Sequence, residues 1–301
     1  MPLRSHNILA LLIEIGKDLA NNKNLATSQA FMQLIATEAS WAEIFQNIDA
    51  VPDFALRHKL RTLEIDYTTA FVYNQLGHVL PRSNNDVYAI ERISYLTGLL
   101  ATPFKLWDEY CAALDSLEVD LRQRLESVHL TPRRVKGRFD DLKIMHEILS
   151  ALNETIFEKN GISGSDNAIN CTEAYSPQAV LCERIPGIPL SIAMIYLIAG
   201  LRLGFPIYGV NTPARFLVKW QYGNLELFIN VFDRGTVIDR DKLDQLMREN
   251  FPNYSNRLLD AVPFEIIARR AIANTAALAA RNEDYDRSRK LEALSRTLFG
   301  F

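Results

Sequence analysis

A chain of 301 residues, 48% of them hydrophobic, can bury a sizeable core and exceeds what one small domain needs, so two or three packed units are expected. The formal net charge of -3, from 33 basic and 36 acidic residues, lacks the basic excess of a nucleic-acid binder and argues against that class. Cys111, Cys171 and Cys182 are odd in number and form no CxxC pair, which argues against a disulfide framework or a zinc site.

The N-terminal Met1-Pro2-Leu3-Arg4-Ser5-His6 leads into mixed polar residues without an apolar run of signal-peptide length, so a cytoplasmic location is expected. Residues 7–130 read as helical. Ile8, Leu11, Leu12, Ile15 and Leu19 fall at helical spacing, as do Phe31, Leu34, Ile35 and Ala39. Segments 60–80 and 87–100 repeat the pattern, with breaks at Pro81 and Pro103. This periodicity implies a bundle of about five helices. The basic stretch Thr131-Pro132-Arg133-Arg134-Val135-Lys136-Gly137-Arg138 reads as a solvated connection and marks a boundary.

A helix is expected over 139–158, with Leu142, Met145, Ile148, Leu149, Leu152 and Ile156 on its inner face. Residues 160–170 read as a loop, and Ser176-Pro177 as the start of a two-turn helix over 177–184. The stretch from Gly187 to Gly204 organises the rest of the chain. Pro189 suits a first helical turn, Gly204 suits the residue just past the end, and Arg202 is the only charge between them. A helix apolar on every side is a buried one, and at about 15 residues it is too short to cross a bilayer.

After it the period becomes strand-like. Three strands are expected at 207–210, 215–220 and 225–231, the last two joined by the turn signal Tyr222-Gly223-Asn224. Residues 239–247 and 264–298 read as helical again, the latter alternating alanines with charges such as Arg269, Arg270 and Arg281. The expected fold class is α+β: an all-helical domain over 1–135, an α+β domain over 136–250 with a buried helix against a small antiparallel sheet, and C-terminal helices over 251–301 packing on the core.

A helix followed by an antiparallel sheet is a scaffold on which thiol hydrolases are built, and these need an activated cysteine, a histidine base and a group to orient it. All five histidines (His6, His58, His78, His129, His146) precede the sheet. His146 sits mid-helix and reads as structural; Cys182 reads as a partly buried apolar residue, and Cys171 lies in a polar loop with no evident base. Asp140-Asp141 and Asp239-Arg240-Asp241 read as helix starts rather than acid–base pairs. There is no HExxH, P-loop or GxGxxG, and spacing alone assembles no active site, metal site or cofactor site.

Residues 157–235 resemble the SirB1-type proteins of the transglutaminase-like superfamily. The resemblance is carried by Arg184-Ile185-Pro186-Gly187-Ile188-Pro189-Leu190-Ser191, by Arg202-Leu203-Gly204-Phe205-Pro206-Ile207 with Gly209-Val210-Asn211, by Pro213-Ala214-Arg215-Phe216-Leu217-Val218, and by Ile229-Asn230-Val231-Phe232-Asp233-Arg234-Gly235. It implies a papain-like core whose enzymes use a Cys-His-Asp triad, cysteine opening the central helix, histidine and aspartate on successive strands. Carried over by position, those sites fall at Pro189, Arg215 and Asn230. Proline has no nucleophile, and arginine stays protonated and cannot act as a base.

The resemblance with its triad lost implies a non-catalytic protein that binds an unknown protein partner or small ligand, with no nucleic acid, membrane or cofactor involved; a homo-oligomer is a further expectation. Arg215, beside Asn230 and near Asp233, is the expected contact for an anion or carboxylate, unless it is paired internally with Asp233 or Glu226. The competing reading is a thiol-dependent amidase or peptidase built on Cys182 and His146, which requires the two side chains within hydrogen-bond reach in a cleft.

Overall fold

A computed structural model of the chain describes residues 45–51, 54–81, 86–213 and 215–300. The helical periodicity at residues 8–19 and 31–39 lies outside them, as do His6 and Ala214. From the N-terminal side run α1 (Phe54–Val79), α2 (Val87–Leu99), α3 (Trp107–Ser127), the single turn α4 (Pro132–Val135) and α5 (Leu142–Asn153). Then come α6 (Pro177–Glu183), α7 (Pro189–Arg202), the strands β1 (Ile207–Asn211), β2 (Phe216–Tyr222), β3 (Leu225–Asn230) and β4 (Thr236–Ile238), and finally α8 (Arg240–Asn250), α9 (Phe264–Arg281) and α10 (Tyr285–Phe299). Fold class is α+β, as the alternation of periods predicts.

The buried helix is α7. Pro189 occupies its first turn, where a missing N–H breaks no helical bond, and every residue from Leu190 to Gly200 is buried. Its end is closed by Gly204 in the left-handed region (φ 74), which lets the Phe205 N–H return to the Gly200 carbonyl at 3.0 Å. Arg202, at its last position, is held by Glu91 of α2 and by Asp115 and Glu118 of α3. The one charge of this stretch therefore ties the central helix to the helices before it.

The four strands form an antiparallel meander in chain order. Gly223 and Asn224 make the two-residue loop of the expected hairpin, with Tyr222 facing Leu225 and Gly223 at φ 58. Phe216, Val218 and Trp220 of β2 turn one face of the sheet to α7 and the main core, while Leu217 joins Val210, Phe228, Leu243, Met247 and Leu259 in a second cluster beneath α8. Burial on both faces explains why β2 reads as a continuous apolar run rather than an alternation. The main cluster itself is contiguous, running from Val72 in α1 to Leu294 in α10.

Four expectations need correcting. The basic connection is not simply a solvated link: Val135 of α4 is buried in the main core while its charged neighbours stay exposed. The helix expected to end at 158 ends at Asn153 and continues as a π-helical turn, Glu154–Lys159. Leu142, expected on the inner face, is exposed at its first position. Strand β4 is an addition to the three expected strands, because three residues are too few to display a period of two. Asp141 and Asp239 do start helices: their carboxylates accept from the first-turn N–H groups of α5 and α8.

Candidate functional site

The N-terminus of α7 opens into a cavity of about 250 Å³, lined on its other sides by the start of β2, by α9 and by residues of the segment 165–175. Pro189 and Arg215 both line it. Two positions that the resemblance assigns to the nucleophile and the base thus share one wall, although 26 residues separate them in sequence.

Arg215 precedes β2, and its carbonyl accepts a hydrogen bond from the Thr212 hydroxyl. Its guanidinium carbon stacks 4.7 Å from the Phe232 ring centroid, and one nitrogen stands 3.6 Å from Asp166 Oδ1. The internal pairing considered from sequence is therefore misplaced: the acid beside Arg215 is Asp166, not Asp233 or Glu226. Glu226 is engaged by Lys219 at 2.5 Å and by Arg240, and Asp233 accepts from the Thr236 hydroxyl at 3.1 Å. Asn230 ends β3 with its side-chain oxygen buried and without a hydrogen-bond partner among the described residues, while its carbonyl accepts from Gly235 N–H at 2.9 Å. Neither Asn230 nor Asp233 is among the residues lining the cavity.

The other wall comes from α9. Arg270, Asn274, Ala277 and Arg281 all line the cavity. Their spacing of four, three and four places them on one helical face. Arg270 donates to Asn211 Oδ1 at 2.6 Å and to the Thr212 carbonyl at 2.8 Å. Burial pulls its guanidinium below the ordinary arginine value, with no opposing carboxylate. Arg281 donates to the Tyr175 hydroxyl at 2.6 Å and the Ile169 carbonyl at 2.8 Å. In the sequence both arginines read as covering charges; their shared face with Asn274 is the signal that sets them apart.

The thiols lie elsewhere, and none of the three lines the cavity. Cys182 is an exposed residue rather than a partly buried one, in the last turn of α6 and not at a helix N-terminus; desolvation of its sulfur still pushes the thiol up, Lys105 and Arg184 pulling the other way. Cys171 points at Glu173 (3.2 Å) and is pushed up by burial and by that carboxylate. Burial, reinforced by Glu91, pushes Cys111 up to about 11. His146 is exposed on the outer face of α5, and its side chain makes no hydrogen bond among the described residues. The charged groups that act on the Cys182 thiol are Lys105, Glu109 and Arg184, and no hydrogen bond joins Cys182 to His146 among the described residues. Among the described residues no His, Cys, Asp or Glu cluster is arranged to hold a metal ion, and no helix is long and apolar enough to cross a membrane.

Residues 108–273, more than half of the chain, match the family model described as transglutaminase-like superfamily. Among curated proteins the chain is similar to a UPF0162 protein of Xylella fastidiosa, 26% identical over 161 residues that cover 51% of this chain and 57% of that protein. It is also similar to F-box only protein 21 of Homo sapiens, 24% identical over 225 residues, 66% of this chain and 34% of that one. A UPF0162 protein of Vibrio cholerae is 27% identical over 127 residues, 40% and 46% of the two chains. The chain thus spans between about a third and just over half of the length of these relatives. No solved structure matches it.

Proposed function

The chain belongs to the transglutaminase-like superfamily, and we propose that within it this is a non-catalytic, SirB1-type protein whose cleft serves as a binding module for a partner or ligand. The supporting observation is the chemistry at the N-terminus of α7. A thiol hydrolase of this architecture needs a nucleophile there, because the positive end of the helix favours a thiolate. Pro189 holds that place and offers none. Arg215, which lines the same cavity, remains protonated at any ordinary pH and cannot accept a proton. Asn230, at the end of β3, carries an amide where the triad of the family carries a carboxylate.

Three unbridged cysteines, each with its thiol pushed up, add to this reading and fit a reducing, cytoplasmic setting. The cleft itself remains open. Losing the reacting groups while keeping the cavity is what a binding role would retain.

The test is a thiol-reactive activity probe applied to the purified protein and to Cys182→Ala. Slow labelling near neutral pH, no faster than in a denatured control, is the expected result. Fast labelling of the native protein that disappears in Cys182→Ala would return the thiol-enzyme reading.

A further inference from the structure

We infer that the cavity at the N-terminus of α7 is a binding site for a small amphiphilic carboxylate, its anionic head held by Arg270, Arg281 and Arg215 and its apolar body by Phe216 and Phe232. This rests on the reading of the cleft as a binding module and names what it binds.

The first observation is an imbalance of charge. Three guanidiniums line the cavity, against the single carboxylate of Asp166. That carboxylate is 86% exposed at the rim, and its 3.6 Å approach to Arg215 is too loose and too wet to neutralise the interior. The hydrogen bonds of Arg270 and Arg281 go to an amide oxygen, two backbone carbonyls and a phenol. These neutral acceptors orient the two forks without cancelling their charge.

The second observation is that α7 adds to the imbalance. Its N-cap residue, Ile188, provides no side-chain acceptor for the first-turn N–H groups, and both Ile188 and Pro189 line the cavity. The positive end of a 14-residue helix therefore faces the same space as the three arginines. Burial lowers the affinity of Arg270 for its proton, the mark of a cation without an internal partner.

The third observation is shape. Two phenyl rings, Phe216 and Phe232, with Ile188 and Leu190, give the cavity an apolar side. At about 250 Å³ it is smaller than a typical cofactor pocket, roughly 300 Å³ or more. A planar carboxylate on a short apolar body meets all three features: guanidinium forks bind it in bidentate fashion and the rings cover its hydrocarbon.

Such a group occurs on free small acids and on the C-terminus of a protein chain. The probes are N-acetylleucine, its primary amide, sulfate and a hexapeptide ending in leucine, titrated by calorimetry into the full chain. N-acetylleucine is expected to bind at least tenfold more tightly than its amide. Arg270→Gln is expected to lose about tenfold or more, as befits a lost charge-assisted bond. Arg270→Lys should recover part of that loss, and Arg215→Gln, at the rim, should weaken binding by a smaller factor while leaving the fold untouched. Tighter binding of the hexapeptide assigns the carboxylate to a chain terminus, and equal or weaker binding to a free acid. Equal affinity for acid and amide, sulfate binding as tightly as N-acetylleucine, or no binding of either acid would overturn the assignment. Ammonia release from the amide would instead overturn the non-catalytic reading, whatever the affinities.

Discussion

Near its C-terminal end α7 packs on β1, and Gly200 measures how tightly. A methyl group added at Gly200 would overlap Ile207 Cδ1 and come within 2.9 Å of Ile207 Cγ1. Ile207 is 1% exposed and its backbone is paired with Trp220 in the sheet, so its side chain can yield only by displacing core neighbours. Overpacking of this kind costs up to about 3 kcal/mol. Replacing glycine by alanine within a helix returns about 1 kcal/mol. Gly200→Ala is therefore expected to destabilise the protein by about 2 kcal/mol, the difference between those two effects. Ile207→Val removes the obstructing methyl and by itself costs about 1 kcal/mol. In the double variant the overlap with Cδ1 is gone, only the 2.9 Å approach to a γ carbon is left, and the helical gain remains, so it should be more stable than Gly200→Ala alone. Urea unfolding followed by circular dichroism reads all four corners of this cycle. Gly200→Ala as stable as the parent, or a double variant showing the plain sum of the two losses, would mean that the α7–β1 contact is not tight at this point.

Two further predictions concern buried ions. Arg202→Met leaves Glu91, whose side chain is 10% exposed, without its 2.5 Å partner, and should cost about 3–5 kcal/mol. Adding Glu91→Gln should recover most of that loss in the same unfolding assay. For Glu226, burial opposes ionisation, but the hydrogen bonds from Lys219 and Arg240 outweigh it and hold the carboxyl below its ordinary value of 4.5. A carboxyl depressed in the folded state contributes stability that is fully present above that value and is lost as the pH falls through the lower folded one. Glu226→Gln also leaves Lys219, 2% exposed, without a carboxylate and with the Leu259 carbonyl at 3.1 Å as a neutral acceptor, and should cost about 3 kcal/mol near neutrality. Urea midpoints measured from about pH 7 down to about pH 3 should show parent and variant converging on the acid side. A gap that stays constant with pH would contradict the pairing.

Much of the fold was legible in the sequence for physical reasons that can be named. Pro189 and Gly204 punctuate α7, and the unbroken apolar run between them admits only a buried helix. Tyr222-Gly223-Asn224 announces its hairpin because only a residue tolerant of positive φ suits that loop. What escaped was either too short or too distributed. Strand β4 has three residues, and the π-helical turn after Asn153 carries apolar residues at spacings a helix would also show. In the cavity, Pro189 and Arg215 stand out only through the family resemblance. Arg270 and Arg281 are visible as charges, but nothing local in α9 says that they meet residues some 55 to 110 positions earlier, such as Arg215, Asn211 and Ile169. Binding walls assembled from distant segments become legible once the helix faces are assigned to their neighbours.

At the centre of the proposed function stands the N-terminus of α7, read there as a thiol-activating position that carries Pro189 in place of a thiol. Labelling kinetics of the parent protein and of Pro189→Cys with a thiol-reactive probe, at about neutral pH, put this to the sharpest test. A thiol at that place would stand at the positive end of a helix, in a cavity with three guanidiniums, and its thiolate should be favoured. The predicted result is slow modification of Cys111, Cys171 and Cys182 in the parent, and modification of position 189 in the variant at least tenfold faster than any of them. A native cysteine that reacts as fast as position 189, or a position 189 that reacts no faster than Cys182, would contradict it.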